Sequence, residues 1–144
     1  MEAFSEMEYR AVVTREGAFT LAEFPDCPGC QTFVRGRADV VAAAREALEG
    51  WLEANLGRDM VPNRPGTKRI SSRAKVIGVA VPMPLAFRLE LRWKRADARK
   101  TQSEFGKLLG MTQQQYAKLE GPRSNPTLET VQRIVDRSGL TFFG

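Results

Sequence analysis

The sequence has no histidine and only two cysteines among its 144 residues. Without His there is no Ser-His-Asp triad, no Cys-His nucleophile pair and no His-ligated zinc. Two thiols cannot by themselves close a four-ligand structural zinc site. No stretch approaches the ~18 uncharged apolar residues that a membrane span needs. The opening residues, Met1 to Glu6, are acidic and lack the charged-then-apolar pattern of a signal peptide. With so little cysteine, the expectation is a cytoplasmic protein without membrane association. Any catalysis would have to run on clustered carboxylates or on Lys.

What is present is charge, unevenly placed. The chain carries 22 Lys+Arg against 17 Asp+Glu, a net of +5. Residues 1–65 hold seven Arg, no Lys and eleven acids, whereas residues 66–144 hold 15 basic and six acidic residues. Such asymmetry suggests two modules with partners of opposite sign, against the plainer reading of an ordinary solvated surface.

Along the chain, Tyr9–Thr14 and Phe19–Phe24 are β-rich runs around a turn that contains Gly17, which predicts a hairpin. In the second run Phe19, Leu21 and Glu23 share one face, and Thr20, Ala22 and Phe24 the other. Gln31–Val34 can form a third strand. Asp39–Leu56 is the clearest helix, with Val40, Val41, Ala44, Ala47, Leu48, Trp51, Leu52 and Leu56 at spacings of three and four. Residues 57–74 read as a polar, basic loop with scope to move. Val76–Val81 is a buried strand ended by Pro82-Met83-Pro84. Two domains follow, residues 1–84 and residues 85–144. The segment 85–98 fits both a strand period and a helix period. A helix is expected there, because all that follows is helical.

Residues 102–121 read QSEFGKLLGMTQQQYAKLEG. Thr101 with Glu104, and Thr112 with Gln115, are capping boxes that start two short helices. Phe105, Leu108 and Leu109 supply a core face for the first, and Tyr116 and Leu119 for the second. Gly106 is small where the second helix must cross, Gly110 ends the first helix, and Met111 plugs the turn. A third helix, capped by Thr127, runs through Val131, Ile134 and Val135 to Gly139. This is a helix-turn-helix pattern. The second helix presents Gln113, Gln114, Gln115 and Lys118 outward from its cap at Thr112. Gln pairs bidentately with adenine in the major groove, and recognition helices read bases with their N-terminal residues. Gln102 can donate to a phosphate, and Arg123 and Asn125 can hold the backbone from the loop after the second helix. A helical bundle with one polar helix is the alternative.

The stretch from about residue 85 to 140, with its trailing YAKLEGPRSNPTLETV, resembles the Xre/Cro-type helix-turn-helix family. The resemblance implies a five-helix DNA-binding domain, usually dimeric. It puts base reading on Gln113 and Gln114 and backbone contacts on Gln102 and Lys118.

Phe19–Leu56, with Glu23, Pro25-Asp26, Pro28-Gly29-Cys30, Thr32, Gly36 and the helix after them, resembles the HicB antitoxin family, as does Val61–Pro65 (VPNRP). This resemblance covers residues 8–83. It implies a truncated RNase H-like sheet-plus-helix unit that binds and covers a HicA-like mRNA-cleaving toxin, and the family often carries an Xre-type domain behind it. An acidic surface would attract a basic toxin, with Glu23, Asp26, Glu46, Glu49 and Glu53 as candidate contacts. Asp26 could instead fix its own turn.

Cys27-Pro28-Gly29-Cys30 reads as a turn with a buried thiol rather than a redox pair, because a strand and not a helix follows it. The strand carboxylates Glu8, Glu16 and Glu23 form no D-x-D or D-x-x-E cluster, so a metal-dependent nuclease is disfavoured. The whole reads as an α+β domain followed by an all-α helix-turn-helix domain. The expected function is that of an antitoxin that represses its own operon, with no catalytic residues, metal or cofactor. The expected partners are a HicA-like toxin, operator DNA and further copies of the chain, as a dimer or tetramer. The first rival is a stand-alone regulator whose N-terminal domain oligomerises or senses; the second is a thiol-redox or nuclease enzyme.

Overall fold

The computed structural model describes residues 6–36 and 38–139. They divide into two compact units, Glu6–Pro82 and the residues from Met83 onward. The first unit is built on four antiparallel strands: β1 (Glu8–Glu16), β2 (Phe19–Glu23), β3 (Gln31–Arg35) and β4 (Lys75–Ala80), in the order β3-β2-β1-β4. β1 pairs with β2 through Val13↔Ala22 and with β4 through Tyr9↔Val79 and Ala11↔Ile77. Alternation therefore sends Tyr9, Ala11, Ala22 and Val79 to one face, and all four are buried. Helix α1 (Val40–Gly57) packs on the sheet and buries Ala44, Leu48 and Leu52. Burying each Leu fully contributes about 1.5–3 kcal/mol. Asp39 caps α1 by accepting from the Ala42 N–H at 3.0 Å. Val41, expected on the core face, stays 38% exposed in the first turn, ahead of the buried stretch.

The opposite face of the sheet is open and apolar in part. Phe19 and Phe33 meet edge to face with ring centroids 5.4 Å apart, and Arg35 lies 5.7 Å over the Phe19 ring. The two rings are diagonal neighbours, since Phe19 pairs with Arg35 and Leu21 with Phe33.

The basic loop after α1 is tethered, contrary to the freedom its composition suggests. The fully buried Asp26 carboxylate accepts from the N–H groups of Gly66 (2.8 Å) and Lys68 (2.7 Å) and from the Thr67 hydroxyl (2.9 Å). Arg10 stands 3.6 Å from the same carboxylate and donates to the Lys68 carbonyl at 2.6 Å. Asn63 donates to the Asp26 carbonyl, and the Tyr9 hydroxyl donates to the Asn63 carbonyl. Burial works to raise the Asp26 pKa, but the hydrogen bonds and the Arg10 charge outweigh it, and the carboxyl sits below its usual range.

The second unit holds four helices among the described residues, where the resemblance implies five: α2 (Met83–Asp97), α3 (Gln102–Leu108), α4 (Gln113–Glu120) and α5 (Leu128–Ser138). The ambiguous segment is helical throughout. Both of its stripes, Leu85-Leu89-Trp93 and Phe87-Leu91, are buried at i, i+4 spacing, which a strand could not achieve. The unit's core joins Phe87 and Leu91 of α2 to Phe105, Leu109, Tyr116 and Ile134, with Met111, Leu119 and Val131 packed around them. Leu108 is an exception to the expected face, at 45% exposure. α3 has only two turns, Phe105 and Leu109 occupy its inner stripe, and Leu108 lies about 100° off Leu109.

Candidate nucleic-acid interface

The turn between α3 and α4 is shaped by two glycines. A Cβ at Gly106 would stand 3.0 Å from the Tyr116 Cβ and 3.3 Å from the Thr112 carbonyl oxygen, so a larger residue would push the crossing helices apart by a few tenths of an ångström. Gly110 takes φ 76, the left-handed conformation that turns the chain from α3 toward α4. Phe105 and Tyr116 then meet edge to face with centroids 5.4 Å apart.

Both capping boxes are formed. Thr101 accepts from the Glu104 N–H at 3.1 Å, and Glu104 accepts from the Thr101 N–H at 3.0 Å. Thr112 accepts from the Gln115 N–H at 3.1 Å, and the Gln115 Oε1 accepts from the Thr112 N–H at 2.9 Å. This second box changes the reading of Gln115. Its side chain is turned back to its own helix start, and one lone pair of its Oε1 is engaged there. A bidentate pair with adenine needs both ends of the amide. Gln115 is thus a capping residue before it is a base reader.

Gln113 and Gln114 are exposed at the start of α4, as a base-reading pair requires. Gln113 does not stand alone. Its Nε2 donates to the Gln102 Oε1 at 3.2 Å, and the Gln102 Nε2 donates to the Glu120 Oε1 at 3.2 Å. Each amide nitrogen has a second N–H, so both residues keep a donor for DNA. Glu120 is held by Arg95, Nε to Oε2 at 2.7 Å and Nη2 to Oε1 at 3.0 Å, with each side chain only 8% exposed. The Arg88 Nε donates to the Glu120 carbonyl, and the Arg95 Nη1 to that of Lys100. A chain of bonds, buried at Arg95–Glu120, therefore runs from α2 through the end of α4 to the start of α3, and orients the amides of Gln102 and Gln113. Sequence reading missed Arg88, Arg95 and Glu120. The available signal was a pair of arginines breaking the apolar stripes of α2. Lys118 is exposed one turn on from Gln114, and Arg123 and Asn125 are exposed in the loop before α5.

The acidic candidates of the first unit do not form one surface. Asp26 is fully buried and belongs to the tether of the 63–68 loop, so it is removed from any partner surface. The motif around it is structural: the carboxylate is spent on the Gly66 and Lys68 N–H groups and the Thr67 hydroxyl. Glu23 projects from the open face of the sheet, opposite to Ala22, while Glu46, Glu49 and Glu53 lie on α1. The three helix residues recur at i, i+3 and i+7 and share one side.

Both thiols of Cys27-Pro28-Gly29-Cys30 are free and buried, where one was expected. Burial pushes Cys27 up to about 12, helped by Cys30 and Asp26, and pushes Cys30 up to about 11. Reactive thiols shift the other way. Cys30 Sγ donates to the Ala47 carbonyl, and the Trp51 Nε1 donates to the Pro28 carbonyl, which docks the turn on α1. Among the described residues no three His, Cys, Asp or Glu side chains gather as metal donors. No described helix is long and apolar enough to cross a membrane.

Residues 91–142, rather more than a third of the chain, match a family model described as Helix-turn-helix. No curated protein sequence matches the chain. With its two capped short helices, glycine turn and outward amides, the C-terminal unit is a helix-turn-helix domain, and the match supports a DNA-binding regulator.

Proposed function

We propose that the chain is the antitoxin of a toxin–antitoxin pair, acting by binding and not by catalysis. The C-terminal unit represses the operon through Gln113 and Gln114, with Gln102, Lys118, Arg123 and Asn125 on the phosphate backbone. The N-terminal unit, read as a truncated RNase H-like fold, covers a basic HicA-like toxin stoichiometrically. The DNA half is carried by the Arg95–Glu120–Gln102–Gln113 chain, buried at its Arg95–Glu120 end and exposed at Gln113, which orients a base-reading side chain before DNA arrives. The toxin half is supported by the resemblance of residues 8–83 to HicB antitoxins and by the acidic side of α1, where Glu46, Glu49 and Glu53 offer a surface of the right sign. Thiols raised by burial fit an inert turn. The protein works in the cytoplasm, as a dimer or tetramer whose paired helix-turn-helix units span half-sites about 34–36 Å apart.

The test is co-expression with the product of the adjacent small reading frame. Growth arrest by the neighbour alone, rescue by this chain and a co-purifying complex are the expected results. No toxicity and no complex would leave the DNA reader and discard the antitoxin role. A second reading, a regulator whose N-terminal unit pairs with itself, is favoured by the open sheet face, where Phe33 is 65% and Val76 41% exposed. Sedimentation of the chain alone, with Phe33→Ser as the control, separates that case.

A further inference from the structure

Arg133 of α5 has no part in the proposed DNA contacts, yet it lines the same cavity as Lys118 and Arg123. A cavity of about 410 Å³ opens between α4, the loop after it and α5. Its cations are Lys118 of α4, Arg123 of the loop and Arg133 of α5, and no carboxylate lines it. Gln115, Thr127 and Thr130 add polar groups, over an apolar floor of Met111 and Leu119. All three cations are exposed. Three positive side chains from three separate elements line this one cavity and no carboxylate lines it with them, a lining that suits an anion.

We propose that this cavity seats one phosphate of the DNA backbone, with Arg133 as its far wall. The inference rests on the DNA-binding reading, and extends the contact track from the recognition helix onto α5. Position supports it. Lys118 is one helical turn from Gln114, so a duplex whose bases meet Gln113 and Gln114 carries its backbone past the Lys118 side of α4. Arg133 offers a planar fork suited to a phosphate, and the Thr130 hydroxyl lies one turn before it on the same helix. A phosphate seat adds affinity without sequence preference.

The test is the salt dependence of duplex binding by the full chain, with operator and with a scrambled duplex of equal length. Arg133→Gln should lower the slope of log affinity against log salt by about 0.9 on both duplexes. Equivalently, the variant loses about 3- to 4-fold less affinity than the parent between 50 and 200 mM salt. Arg133→Lys should restore most of the slope, which a folding defect would not allow. An unchanged slope in Arg133→Gln overturns the seat while leaving the DNA-binding reading intact. So does a loss confined to the operator, which would make Arg133 a base reader. In a parallel arm, inorganic phosphate is titrated against parent and variant by NMR. A site saturated by free phosphate, abolished in the variant while the duplex slope stays put, assigns the cavity to a small anion and overturns the proposal. A parent chain that binds neither duplex at low salt removes the DNA reading and this inference with it.

Discussion

Arg95 holds both carboxylate oxygens of Glu120, and one of those oxygens also holds Gln102. A single acid at the end of α4 thus ties α2 to the start of α3. Removing one member of so buried a pair leaves an uncompensated charge and should cost about 3–5 kcal/mol. Glu120→Gln or Arg95→Met should lower the melting temperature of the C-terminal unit sharply, while Arg95→Met with Glu120→Leu recovers most of the loss. Thermal melting followed by amide exchange on α3 and α4 measures it. Single variants that melt with the parent would make the pair a bystander.

The proposed base reading rests on two amides. Gln113→Ala and Gln114→Ala should each weaken operator binding by about 1–3 kcal/mol, with binding to a scrambled duplex almost unchanged. Gln102→Ala should cost discrimination as well as affinity, because it frees Gln113 to move. Gln115→Ala should act mainly on helix stability, by about 1 kcal/mol, through the lost cap. Fluorescence anisotropy with the two duplexes, beside thermal melts, separates these effects. Equal losses on both duplexes in the Gln113 variant would remove it from base reading.

The helix-turn-helix half was legible because its signals are local. Caps, helix-ending glycines and i, i+4 stripes lie within a few residues of one another, and they placed Thr101, Gly106, Gly110, Thr112 and Thr127 in their roles. The Arg95–Glu120 pair was not legible, since nothing in a sequence says which of many charges will be buried together. Asp26 was misread as surface for the same reason: its donors come from Gly66, Thr67 and Lys68, some forty residues on. Gln115 was legible as the capping-box partner of Thr112 and as an outward residue, but the sequence could not say how far the first role draws its side chain from the second. Leu108 shows the limit of periodicity in a helix of two turns.

Asp26 should also set the acid limit of the N-terminal unit. Its folded pKa is below the ordinary value, so its contribution is present above the unfolded pKa and fades as pH falls through the folded one. Melting temperatures from pH 7 down to about pH 2 should therefore fall in the parent most steeply below about pH 4. Asp26→Asn should be less stable at neutral pH by about 1–3 kcal/mol, with a flatter acid limb. A parallel acid limb in the variant would place the titration elsewhere.

The thiols predict behaviour at the other end of the scale. Both are neutral in the fold and held up by burial, so the native state loses stability as pH rises between about 9 and about 12. At pH 8 a disulfide reagent should label Cys27 and Cys30 slowly in the native protein and rapidly in urea. Cys27→Ser with Cys30→Ser should leave both proposed binding activities in place. Fast native labelling would contradict the burial.

The back-turned Gln115 has a consequence for information content. Two amides at about 1–3 kcal/mol each discriminate by about 2–6 kcal/mol, whereas picking one operator from a genome of competing sites takes about 4–10 kcal/mol. One copy would reach only the lower part of that range, whereas two copies on a palindrome, at about 4–12 kcal/mol, would cover it. On the proposed reading, the capping bond at Thr112 thereby reaches beyond its own helix: by drawing Gln115 out of the reading alphabet of each chain, it would make the address of the protein a matter for a pair.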